Sequence, residues 1–155
     1  MADPATDTSS DPAPVTLPPA ARRFLEVPGR YATIATLGPH GDPHQAVVWY
    51  AIDEQGLLIN SRVGRRWPTD LARDPRISLT VDGSDAPTGR EAYVTVRGRA
   101  AAVATGDEAM RDIQALAVRY GQSTDGWVGQ QRITFRIEPL AVHVYGDLGA
   151  QGEPD

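Results

Sequence analysis

From Arg30 to Tyr145 the chain alternates apolar and polar side chains with a period close to two, in runs bounded by Gly, Pro and Asp. That rhythm predicts half-buried β-strands. "RYATIATLG" is rich in β-branched residues, and "GPHGDP" turns the chain into "HQAVVWYAI", whose apolar residues fall on both faces and predict a central strand. "DEQG" makes the next turn, into "LLINS". Further on, "RISLTVDG" points Ile77, Leu79 and Val81 inward; after the polar loop "SDAPTGR", the stretch 91–104 sets Ala92, Val94 and Val96 on one face and Tyr93, Thr95 and Arg97 on the other. "RITFRIEPLAVHVYG" reads as two short strands around Pro139. Helical signals are fewer. "AARRFLE" follows Pro18-Pro19 and stops at Pro28-Gly29, and "GRRWPTDLARDP" supplies a short helix. In "DEAMRDIQALAVRYG", Met110, Ile113, Leu116, Ala117 and Tyr120 form one apolar stripe, with acids at the start and Gly121 after the last turn.

About seven strands, two or three helices and no strand–helix–strand rhythm favour a mainly β, antiparallel barrel, in which closure removes exposed edges. The 155 residues and 41% hydrophobic content suit one domain, expected over residues 20–148. Residues 1–19 carry five prolines and few large apolar groups, which predicts a disordered tail, and residues 149–155 a flexible C-terminus.

Composition narrows the chemistry. A formal charge of −5 argues against general nucleic-acid binding, which draws on an excess of basic side chains. No apolar run approaches the ~18 residues of a membrane span, and the acidic, Pro-rich N-terminus lacks the basic and apolar regions of a secretory signal, so no membrane association and a cytoplasmic location are expected. Without cysteine there is no disulfide framework, thiol nucleophile or Cys-based zinc site. All 15 basic residues are arginine, so any phosphate clamp here must use guanidinium forks.

Such a clamp has a candidate. Arg62, Arg65 and Arg66 lie within five residues, and Pro68 suits the first helical position after Trp67, so backbone N–H groups would point the same way as the guanidinium groups. The alternative is that these arginines pair with Asp70, Asp74 or other acids on a solvated face. Trp49, Trp67 and Tyr93 suit either the wall of a flat pocket or an ordinary core. His40 and His44 flank a Gly-Asp turn without a third ligand nearby, so no metal is expected. His143 stands in a period-two strand, as a structural residue or a base. No Ser-centred elbow, P-loop or dinucleotide glycine fingerprint is present. Arginine forks and apolar walls without an acid–base or nucleophile set suit a bound cofactor that brings its own reactivity.

At "ATIATLGPHGDPHQAVVWYAID" and "GRRWPTDLARDPRISLTVDG" the sequence resembles the split β-barrel flavin and deazaflavin oxidoreductases, the pyridoxamine-phosphate-oxidase-like superfamily, from about Ala32 to the closing "HVYG". It is most similar to the branch of probable F420-dependent enzymes. The resemblance implies a Greek-key split barrel of the FMN-binding type that forms a homodimer, with two cofactor sites at the interface. By position, Gln45, Ala46 and Val47 would border the ring, and Asn60 and Ser61 would lie at its edge or along the ribityl-like chain. Arg62, Arg65, Arg66 and Trp67 would gather round the phosphate. Tyr93 matches an aromatic position that such dimers present to the site across the interface.

The implied activity is hydride transfer between coenzyme F420 and a small conjugated or electron-poor substrate. FMN is the alternative cofactor, and a non-catalytic flavin, haem or tetrapyrrole binder the alternative class. Two positions depart from the branch: Trp67 where some relatives carry Lys, and Asp70 where most have Asn. They leave deazaflavin and FMN both open. The C-terminal Trp and Arg-Leu-x-Pro substrate motif of pyridoxine-phosphate oxidases is not reproduced, so that reaction is not expected. Tyr93, Tyr120, His143 and an ordered water remain candidate proton donors.

Overall fold

The computed structural model describes residues 12–84 and 89–148. The loop tip at 85–88, residues 1–11 and the C-terminal stretch expected to be flexible lie outside the described residues. Strands β1 (Ala32–Leu37), β2 (Pro43–Val48), β3 (Tyr50–Asp53), β4 (Gly56–Arg62), β5 (Arg76–Ser84), β6 (Glu91–Thr105) and β7 (Arg132–Tyr145) form one antiparallel sheet in the order β2-β1-β5-β6-β7-β4-β3. Helices α1 (Pro19–Glu26), α2 (Arg66–Arg73) and α3 (Gly106–Arg119) complete the fold. It is the split β-barrel that the strand pattern and the family resemblance predicted.

The sheet closes through a segment whose role differs from the expected one. "HQAVVWYAI" is not a central strand; it breaks at Trp49 and its halves occupy opposite edges, β2 on β1 and β3 on β4. Since one residue joins the two edges, the sheet must curl. At the break, the Tyr50 N–H donates to the Tyr120 hydroxyl at 3.2 Å in place of a ladder partner. The apolar residues on both faces have separate causes: Ala46 and Val48 pack against the core, whereas Val47 is 68% exposed.

Inside the curl, Ile34, Leu79, Val81, Val94, Val96, Leu57, Ile59, Phe135 and Ile137 interdigitate, each at most 2% exposed. Burying a side chain of this size contributes about 1.5–3 kcal/mol. Tyr50 is fully buried there; its hydroxyl donates to Leu25 O at 2.6 Å, and burial pushes its pKa up to about 12.

The two short strands expected around Pro139 are one 14-residue strand. Arg97 pairs with Ala141 and Gly98 with Pro139, so Leu140 is the extra residue of a bulge where Pro139 has no N–H to give. The free Pro139 carbonyl instead accepts from Val15 N at 2.9 Å. With Leu17 in the core, the stretch before α1 is tied to the barrel at Val15 and Leu17.

A Cβ at Gly98 would run into the Glu138 carbonyl and stand 3.1 Å from Ile137 Cγ2. Gly98→Ala should accordingly lower stability by about 1–3 kcal/mol, read from the midpoint of chemical denaturation, through overpacking at the bulge.

Candidate functional site

Four arginines, Arg62, Arg65, Arg66 and Arg132, line a cavity of about 630 Å³ between β2, the end of β4, the start of α2 and the segment leading into β7. Its walls include Gln45, Ala46, Val47, Asn60, Ser61, Arg62, Arg65, Arg66 and Trp67, every expected cofactor-binding residue except Tyr93. Tyr93 stands apart, stacked on Tyr145 with ring centroids 4.9 Å apart. His143, 6.3 Å from the Tyr93 ring, is also outside the cavity.

The local sequence explains the cationic end. Strand β4 ends in Asn60 and Ser61, both buried, and then Arg62, exposed. Helix α2 starts at Arg66, two residues before the expected position, so Pro68 is its third residue. The N–H groups of Arg66 and Trp67 have no intrahelical acceptor. Trp67, 5% exposed, packs its ring 5.9 Å from Phe135 and anchors this turn.

The ion pairs divide the arginines. Arg66 reaches Asp42 Oδ2 at 2.6 Å, with both side chains about half exposed. Asp70 is buried and occupied: Thr36 Oγ1 donates to it at 3.0 Å and Arg73 Nη2 at 3.1 Å, while Arg66 Nε stays 4.0 Å away. Its carboxylate ties α2 to β1. Arg62 and Arg65 make no ion pair among the described residues.

Sequence reasoning missed the fourth arginine. Arg132, the first residue of β7, is 8% exposed, and burial, then the charges of Arg65 and Arg62, lower its pKa to about 10. Its Nε donates to Asn60 Oδ1 and its Nη1 to Gln130 Oε1, each at 2.9 Å. No carboxylate within the described residues pairs with it. Asn60 thus spends its amide oxygen on Arg132 and its amide nitrogen on Ala109 O and Thr134 Oγ1. The missed signal was an arginine opening a strand, paired across the ladder with Arg62.

The same cavity has an aromatic wall. Tyr31, Trp49 and Trp127 line it. Trp49 stacks on Tyr120 at 4.9 Å and 7°, and meets the edge of Trp127 at 5.9 Å. The Tyr120 hydroxyl donates to Arg30 O at 2.6 Å and accepts from Tyr50 N, and burial raises its pKa. A phenol so engaged is a support for Trp49 rather than a proton source. Among the described residues no cluster of His, Asp or Glu could hold a metal ion, and no helix is long and apolar enough to cross a membrane.

A family profile described as pyridoxamine 5'-phosphate oxidase matches residues 17–145. The chain belongs to that family. Among solved structures of this family's fold, an F420 reductase shares 22% identity at a TM-score of 0.69, covering 82% of this chain and 98% of its own. The haem storage protein HutZ of Vibrio cholerae shares 18% at 0.65, covering 84% and 95%. An FAD-binding protein of Mesorhizobium loti shares 22% at 0.59, covering 79% and 88%. No curated protein matches the chain significantly. At these identities the neighbours establish the fold alone.

Because exposed ion pairs contribute only ~0–1 kcal/mol, Asp42 holds Arg66 loosely. Asp42→Asn should free that guanidinium and tighten inorganic phosphate binding, measured by calorimetry, by up to about fivefold.

Proposed function

We propose that this chain binds coenzyme F420 and serves hydride transfer between the deazaflavin and a small conjugated or electron-poor organic substrate. The observation that carries the proposal is one cavity whose lining divides into four guanidinium groups and the three aromatic side chains Tyr31, Trp49 and Trp127. A phosphate-bearing heterocycle has the same division. The fit is chemical as well as spatial, since a buried guanidinium without a carboxylate lacks a counter-charge that a phosphate would supply.

When bound, the deazaflavin supplies the hydride chemistry. The chain's part is to hold, orient and dry it. Arg62, Arg65 and Arg132, with the two N–H groups opening α2, would hold the phosphate. Gln45, Ala46 and Val47 on β2 would border the ring, and Trp49, Trp127 and Tyr31 would exclude water from its far end. Besides the arginines, Tyr31 and His44 are the titratable side chains at the cavity. In the homodimer that we infer, Tyr93 would be offered to the partner's site, consistent with its place outside the cavity of its own chain.

FMN is the second reading. Three arginines converging on one spot, free of carboxylates, would equally serve the terminal phosphate of a flavin mononucleotide, and a flavin-binding neighbour shares the fold.

Fluorescence titration should show F420 binding in the micromolar range or tighter, and Arg65→Ala should weaken it by ~1–3 kcal/mol. A purified protein that ignores F420 but is yellow and releases FMN on denaturation would transfer the proposal to the second reading. Light scattering should count two copies per particle; a monomer would remove the role assigned to Tyr93.

A further inference from the structure

Arg132 is held in an unusual way for a buried cation. A guanidinium taken out of water ordinarily takes a carboxylate partner, and removing that partner is destabilising because the charge is left alone. Here both protein acceptors are amide oxygens, Asn60 Oδ1 and Gln130 Oε1, at 2.9 Å each. The charges that bear on it, those of Arg65 and Arg62, have its own sign.

The Asn60 amide is itself oriented. Its nitrogen donates to Ala109 O and to Thr134 Oγ1, both at 2.9 Å. The Thr134 hydroxyl in turn donates to Asp112 Oδ2 at 2.7 Å, so it can only accept from Asn60. The amide oxygen is thereby left facing Arg132. An acidic side chain does belong to the network, but two hydrogen-bonded residues away from the guanidinium.

We infer that Asn60 and Gln130 form a neutral amide clamp that orients Arg132 without neutralising it, reserving its charge for an incoming tetrahedral oxyanion of the phosphate type. Both are positioning residues that act through Arg132. The inference rests on the anion-binding half of the proposed function and adds what makes that half selective for a ligand over the protein's own acids. A carboxylate at either clamp position would complete an internal ion pair. The folded protein would gain a partner for its buried cation and the ligand would lose one.

The test uses the full chain and two probes, sulfate and inorganic phosphate. Gln130 sits in a partly exposed loop, so Gln130→Glu is the principal variant, and Asn60→Asp places the same change in the buried position. Gln130→Glu should lower the affinity for both anions at least tenfold in calorimetric titration while raising the denaturation midpoint of the ligand-free protein. Gln130→Ala, which removes the clamp but adds no charge, should lower affinity less and leave the midpoint the same or lower. A general structural role would move stability and affinity down together. Wild-type anion affinity in Gln130→Glu, or a loss of affinity accompanied by a loss of stability, overturns the inference. Sulfate bound by the wild type and refused by Gln130→Glu, with neither F420 nor FMN bound, would end the functional proposal and leave the clamp standing.

Discussion

One segment has to serve both edges of the sheet. Residues 43–53 pair with β1 on one side and, after the break at Trp49, with β4 on the other, so the sheet cannot lie open. Curling removes most of the unpaired edge that an isolated sheet would expose. It also brings β2 alongside the end of β4 and the turn into α2, where the arginines are. The cavity follows from closure: its wall includes the strand that closes the barrel, and Trp49, at which that strand breaks, belongs to its aromatic lining.

Electrostatics then divides the residues near this wall into those paired within the fold and those without a counter-charge in it. Asp70 is satisfied by Thr36 and Arg73 and fastens α2 to β1. Asp42 takes Arg66 at the surface. Beyond these, Arg62, Arg65 and Arg132 remain without an acidic partner among the described residues, in a chain whose formal charge is −5. Three like charges close together oppose folding. Their retention, with one of them buried, is the kind of local frustration that marks a binding site.

Much of this architecture was legible in the sequence. The strands β1, β4, β5 and β6, the α3 stripe and the cluster Arg62, Arg65 and Arg66 follow from period, punctuation and spacing, because each is a local pattern. What escaped was non-local. Whether "HQAVVWYAI" is central or shared between edges depends on curvature, which no window of a dozen residues contains. Pro139 read as a break because the bulge that absorbs it is opposite Gly98, some forty positions earlier. Arg132 carried no motif, and its burial and its amide partners arise only when β7 lies beside β4. Tyr120 counted as a candidate proton donor until the fold showed its hydroxyl engaged by Arg30 and Tyr50.

Helix α3 braces the cavity wall at two places. Near its start Ala109 and Asp112 belong to the network that fixes Asn60, and at its C-terminal cap Tyr120 lies under Trp49. Eight helical positions separate Asp112 from Tyr120, about 12 Å at the rise of an α-helix. The helix thus joins two supports in one rigid piece: a shift of α3 that loosens the Asn60 amide also moves the ring beneath Trp49.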